Sequence, residues 1–219
     1  MTVAQTKYHV RIEFLEAILG TVGKDPEVYT TYVQSKQVEA AAKTDITVTE
    51  DMLSEEADTI PEGDGLEQKG WTGFSTDEHG PFLYDYMIKG FFKEVCGSLR
   101  RVPKTKSAGI RAYKKIIDGL VFVEQRRLYL QFPDGEIPAK LDVLERPLRA
   151  QTMQGERVAL ARSDTAPAGT AIEFDLVIMG DEPDEATLRE WFDYGKFKGL
   201  GQWRNARYGS FVYTMEAVA

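Results

Sequence analysis

Apolar positions recur along this chain in two rhythms, and the change from one to the other marks its elements. Tyr8, Val10, Ile12 and Phe14 alternate with His9, Arg11 and Glu13, the period-two pattern of a half-buried strand. Tyr84, Ile88, Phe91, Val95 and Leu99 then follow at spacings of three and four, the apolar face of a helix. Asp85, Lys89, Lys93 and Arg100 fall on a stripe beside that face, and Asp85 precedes Lys89 in the order that favours an ion pair. Residues 113–123 read as a strand, and residues 126–144 as a hairpin turning at Pro133-Asp134-Gly135. Ile172, Phe174, Leu176 and Ile178 restore the alternation. Asp181 to Asp184 form an acidic helix start with Pro183 near the first turn, and Leu188, Trp191 and Phe192 supply that helix with its apolar face. Phe211, Tyr213 and Met215 close the chain as a strand.

Two stretches interrupt this order. Residues 20–80 are rich in Thr, Glu, Asp, Gly and Gln, with a short helix expected at 26–42 and a polar acidic run at 50–67. Residues 124–165 read as a basic hairpin insertion whose segment 145–162 is irregular. Without them the order is strand, helix, strand, strand, helix, strand. That order predicts an α+β fold, a ferredoxin-like (RRM-like) βαββαβ core with large insertions, in a single domain over residues 1–219. Two helices would cover one sheet face and leave the other to an inserted element or a ligand. His9 and Arg11 are candidates for that open face.

Composition narrows the function classes. Cys96 is the only cysteine, so no intrachain disulfide forms, and a reducing, cytoplasmic setting is expected. The first ten residues lack the apolar core of a leader, and no run approaches a membrane span, so no membrane partner is expected. The net charge of −8 is unevenly spread. Residues 39–85 carry two basic and thirteen acidic side chains, whereas residues 86–162 carry sixteen basic and eight acidic. The acidic total conceals a basic middle, and local patches decide what binds where.

The densest patch is Arg100, Arg101, Lys104, Lys106, Arg111, Lys114 and Lys115, seven cations in sixteen residues with no acid among them. Such a run fits phosphate contact, and Lys89 and Lys93 extend it along the preceding helix. A second candidate is GLGQWRNARYGSF at 199–211, where Gly199 and Gly201 permit close backbone approach, Arg204 and Arg207 supply forked donors and Trp203 a stacking face. It follows a helix and opens a strand, the reverse of a dinucleotide-binding loop. The alternative for each is ordinary structure: a solvated basic loop, and a helix cap with a tight turn. No cofactor or metal is expected, since one Cys and two distant His match no zinc spacing and no G-x-S-x-G is present.

The element order, the glycine segment (Gly199-Leu200-Gly201, then Arg204, Arg207, Gly209 and Phe211) and Asp85-Tyr86-Met87-Ile88-Lys89-Gly90 together resemble the RAMP superfamily of CRISPR backbone subunits and processing nucleases. The first helix lacks the family's serine, and Ser210 rather than an aromatic residue follows Gly209. The segment from Glu145 to Phe174 is similar to the family's approach to its third core strand, and a compact chain of this kind looks most like phage or prophage relatives. The resemblance implies single-stranded RNA or DNA, RNA favoured, bound across the sheet by a non-catalytic protein that self-assembles as a homo-oligomer. It also leaves two other classes open. One is a structural mimic or scaffold that docks its acidic run on CRISPR effector subunits. The other is a metal-dependent endoribonuclease using Asp25, which lies where some members carry a catalytic aspartate.

Overall fold

The computed structural model describes residues 4–24, 70–152 and 155–218. In chain order the strands are β1 (Gln5–Phe14), β2 (Ile18–Leu19), β3 (Val22–Gly23), β4 (Trp71–Gly73), β5 (Ser75–Asp77) and β6 (Gly80–Tyr84). Helix α1 (Asp85–Leu99), a 3-10 turn (Lys106–Gly109) and α2 (Tyr113–Leu120) lead to β7 (Val121–Val123) and β8 (Arg127–Tyr129). Strands β9 (Asp142–Thr152), β10 (Gly155–Ala166) and β11 (Ala171–Met179) follow. Helices α3 (Glu185–Asp193) and α4 (Gly195–Lys198) then precede β12 (Phe211–Val218). The chain divides into two compact units, one of Met1–Ile18, Phe82–Ile137 and Ala166–Ala219, the other of Leu19–Pro81 and Pro138–Thr165.

In the first unit the sheet runs β12-β1-β11-β7, every neighbour antiparallel. This is a ferredoxin-like α+β core: the first strand lies between the last and the third, and β7 takes the second position at the edge. The register pairs Val10 with Phe174 and Met215, and His9 with Asp175 and Glu216. Period-two alternation therefore sends Tyr8, Val10, Ile12 and Phe14 to one face with Phe174, Leu176, Phe211 and Met215, all buried. Helices α1 and α3 cover that face with Ile88, Phe91, Phe92, Val95, Leu188, Trp191 and Phe192. Phe92 lies 5.2 Å from Trp191 and 5.1 Å from Phe192, and Phe91 lies 5.2 Å from Phe211, all at ring centroids. Each such side chain withdrawn from water stabilises the fold by roughly 1.5–3 kcal/mol.

The opposite face of the sheet carries charged residues, with exposed Phe122 and Val218 in the same row as Lys7. Lys7 binds Glu124 and Asp175 at 2.7 and 3.0 Å, His9 Nδ1 lies 2.9 Å from Asp175, and Arg11 pairs with Glu173 at 2.5 Å. Along the outer edge of β12, Arg189 of α3 donates to the Met215 carbonyl at 3.2 Å while its guanidinium pairs with Glu185. That charge blunts an otherwise open strand edge.

Three expected elements differ. Residues 113–123 are not one strand: Tyr113, Ile116, Ile117 and Leu120 fall on one stripe, so α2 forms first and only Val121–Val123 extend. No hairpin spans 126–144, because β8 pairs with β6 through Phe82 and Tyr129, although the turn closes from Gly135 N–H to the Phe132 carbonyl at 2.9 Å. Residues 145–152 and 155–162 are regular, since β9 and β10 pair from Asp142 with Thr165 to Thr152 with Gly155. Pro147 concealed that strand, and it is tolerated because β9 pairs on one side only.

The second unit builds its sheet as β2-β10-β4-β3, with β9 paired to β10. Asp164, 6% exposed, accepts from Trp71 Nε1 at 2.8 Å and Lys24 Nζ at 2.7 Å, and the ammonium sits 4.4 Å from the indole centroid. The expected helix at 26–42, the acidic run at 50–67 and Asp25 lie outside the described residues.

Ile12 and His9 test the sorting of faces. Ile12→Ala is expected to lower stability by about 2–5 kcal/mol in urea unfolding, and His9→Ala by less than about 1 kcal/mol.

Candidate nucleic-acid interface

The basic run begins where α1 ends. Pro103 stops the helix, and the chain tightens through Arg100 N–H to the Cys96 carbonyl and Val102 N–H to the Leu99 carbonyl, at 2.9 and 2.7 Å. Thr105 caps the 3-10 turn: its hydroxyl accepts from Ala108 N–H at 3.2 Å and lies 3.0 Å from the Leu99 and Val102 carbonyls. Lys104 and Ala112 turn the backbone in the left-handed region at φ 71° and 51°. Ser107 is fully buried beneath the turn. Its hydroxyl donates to Glu190 at 2.6 Å and accepts from Trp191 Nε1 at 2.9 Å.

On this frame Arg100, Arg101, Lys104, Lys106, Arg111, Lys114 and Lys115 are all exposed. Arg100 lies 5.3 Å from the Tyr113 ring, where Gly97 leaves room for the phenol. No side-chain cation of the seven pairs with a carboxylate among the described residues. Elsewhere in the same unit cations are matched: Lys93 with Asp118, Arg126 with Asp85 at 2.5 Å, and Arg189 with Glu185 at 2.7 Å. Asp85 is thus taken by Arg126 rather than by Lys89. Lys89 instead donates to the Asp118 carbonyl at 3.2 Å and lies 4.8 Å from the Phe122 ring. Burial pushes its ammonium below the usual lysine range, against the pull of Asp118 and Asp85.

The glycine segment closes on itself. Leu200 N–H donates to the Gly209 carbonyl at 2.9 Å, and Gly209 N–H to the Ala17 carbonyl at 2.9 Å. A Cβ on Gly199 would lie 2.6 Å from Gly209 C, and one on Gly209 1.9 Å from the Leu200 oxygen. The close approach these two glycines permit is therefore to each other, while Gly201 supplies a further positive φ of 81°. Within the loop Trp203 stacks on Tyr208 at 5.3 Å and 10°, with 43% of its surface exposed.

Two of the segment's four nearby cations meet one acid. Arg204 and Lys198 both bind Glu94 of α1, Lys198 at 2.7 Å. Burial pushes the Glu94 carboxyl up, but hydrogen bonds from Lys198 and Arg204 outweigh it and hold the group below the usual glutamate range. Lys196 and Arg207 are exposed and form no ion pair among the described residues. Glu94 and Glu190, which organise both segments, escaped the sequence reading because each sits far along the chain from the groups it binds.

The open sheet face differs from the basic run in charge. Lys7 and Arg11 are neutralised by Glu124, Asp175 and Glu173, and Glu13 and Glu216 add exposed acids. Hydrogen bonds from His9 to Asp175 and from Arg11 to Glu173 hold both carboxyls below their usual ranges. Among the described residues no group of three or more His, Cys, Asp or Glu side chains could hold a metal ion, and no helix is long and apolar enough to cross a membrane.

No protein-family model matches the chain, and no curated protein matches it. Among solved structures it is similar to a chain of a Type IV-B CRISPR complex, at 12% identity and a TM-score of 0.47, covering 97% of this chain and 91% of that one. It is also similar to a chain of the Type III-B Cmr-beta complex bound to cognate target RNA, at 12% identity and a TM-score of 0.47. The likeness there covers 98% of this chain and 61% of the other.

Two predictions concern the loop. Gly209→Ala, strained at φ 69° and blocked by the Leu200 oxygen, is expected to lose at least about 2 kcal/mol in thermal unfolding. Glu94→Gln tests the sign of a pH effect. Because the folded Glu94 carboxyl is held below the ordinary 4.5, its contribution is present above that value and lost as pH falls through the lowered one. The stability gap between wild type and Glu94→Gln in urea unfolding should therefore be largest near neutrality and shrink in acid.

Proposed function

We propose that this chain binds single-stranded nucleic acid, RNA in preference to DNA, along the basic run at 100–115. The observation that carries the reading is the exposure of seven cations in one continuous segment, none paired with a described carboxylate, in a unit whose other cations are largely matched. Unpaired cations at this density attract phosphates and release the counterions around them. Exposed Arg207 and the Trp203–Tyr208 stack add a forked donor and aromatic surface of the kind that accepts unstacked bases. The preference for RNA comes from the sequence resemblance described above.

The reading moves the ligand away from the open sheet face. That face has its lysine and arginine held by acids of neighbouring strands, with Glu13 and Glu216 facing solvent beside them. A phosphate chain laid there would have to displace intramolecular ion pairs before gaining any of its own.

Binding of a fluorescein-labelled oligouridylate, followed by anisotropy from about 50 to 200 mM salt, tests the proposal. The combined change Arg100→Ala/Arg101→Ala/Lys104→Ala is expected to weaken affinity by about ten-fold or more and to lower the salt slope by about two. Lys7→Ala/Arg11→Ala should leave both unchanged. Absence of binding by the wild-type protein at low salt, or loss of binding only in the sheet-face variant, overturns the assignment.

A further inference from the structure

Among the described residues the carboxylate that hydrogen-bonds the basic run comes from another helix. Glu190 of α3 accepts from Lys106 N–H at 2.6 Å through Oε2, and from Ser107 N–H at 3.0 Å and the Ser107 hydroxyl at 2.6 Å through Oε1. Neither oxygen touches a basic side chain: both are committed to the backbone and the buried serine. Trp191, the next residue and fully buried, donates its indole N–H to the same serine oxygen at 2.9 Å. The centre of the cationic segment is thus tied to α3 by four hydrogen bonds, and Ser107 has both its donor and an acceptor site filled.

We infer that Glu190 is a positioning residue for nucleic-acid binding: it holds the run of cations in one fixed arrangement before a strand arrives. The inference rests on the function proposed above. Seven like charges in sixteen residues repel one another, and the 3-10 turn at their centre buries only Ser107 of its own residues. A segment left loose would have to be ordered on binding, at the expense of affinity. The carboxylate supplies what the segment lacks, a fixed acceptor for two adjacent amides and a hydroxyl.

The role is distinguishable by sign from a simple charge effect. Glu190→Gln removes a negative charge beside a polyanion site, which by electrostatics alone strengthens binding. The same change turns one acceptor oxygen into an amide N–H₂ that cannot accept from Lys106 or Ser107, so the segment loosens and binding weakens. Positioning predicts the second outcome.

The experiment uses the full chain and a labelled oligouridylate of about 20 nucleotides, titrated from about 50 to 200 mM salt. Glu190→Gln is expected to weaken affinity by about ten-fold and to flatten the salt slope by about one, because fewer cations reach phosphates together. Glu185→Gln, the loss of a carboxylate from the same helix that pairs with Arg189, should bind as tightly as wild type or slightly more so. Wild-type binding with Glu190→Gln equal or tighter overturns the inference and leaves the proposed function standing, whereas no wild-type binding removes the function itself. Should Glu190→Gln fail to fold, amide exchange of the wild-type protein decides. Lys106 and Ser107 amides must exchange far more slowly than that of Lys104, and equal rates overturn the clamp.

Discussion

The placement of β1 between β11 and β12 is the constraint on which the first unit depends. A strand paired on both sides has its register fixed twice, and a shift of one residue would drive His9, Arg11 and Glu13 into the aromatic core. Because Val10, Ile12 and Phe14 must face Phe91, Phe92 and Trp191, the polar residues between them are forced onto the other face. There two of them meet a carboxylate opposite in register on β11, His9 at Asp175 and Arg11 at Glu173, while Glu13 faces solvent. One alternation thus dictates both the core and the charge-matched surface behind it.

Seen by their partners, the cations of this unit form two populations. Lys7, Arg11, Lys93, Lys198 and Arg204 are held by Asp175, Glu173, Asp118 and Glu94. The seven cations at 100–115, like Lys196 and Arg207, pair with no described carboxylate, and Glu190 binds the backbone and Ser107 of the run instead. Such an arrangement keeps positive charge available to solvent while still fixing the segment that bears it. It also lets a chain with a net charge of −8 carry a locally cationic segment.

Much of this was legible from residue order alone. Strict alternation announced β1 and β11, and spacings of three and four announced α1 and α3, because burial imposes those periods directly. Segment 113–120 misled because Ile116 and Ile117 read as β formers, although Tyr113, Ile116, Ile117 and Leu120 make a helical stripe. The strand at 142–152 is hidden by Pro147, which a strand paired with β10 alone among the described strands tolerates. For the site, the cationic run was visible as composition. What anchors it was not, since Glu190 lies some eighty residues away and nothing local distinguishes it from other helical acids. Glycine content signals close backbone approach without naming what approaches, and in the fold Gly209 meets the backbone at Leu200.

That meeting of Leu200 with Gly209 divides the chain topologically. The two feet of the loop are fastened to each other and Gly209 to Ala17, and between them Arg204 reaches back to Glu94 of α1. With Arg204 kept in place, lengthening the loop adds only the slowly growing entropy of a larger ring, about 0.6 kcal/mol per doubling. The segment is a natural port for grafted sequence, where new recognition elements can be fitted without redesigning the scaffold beneath.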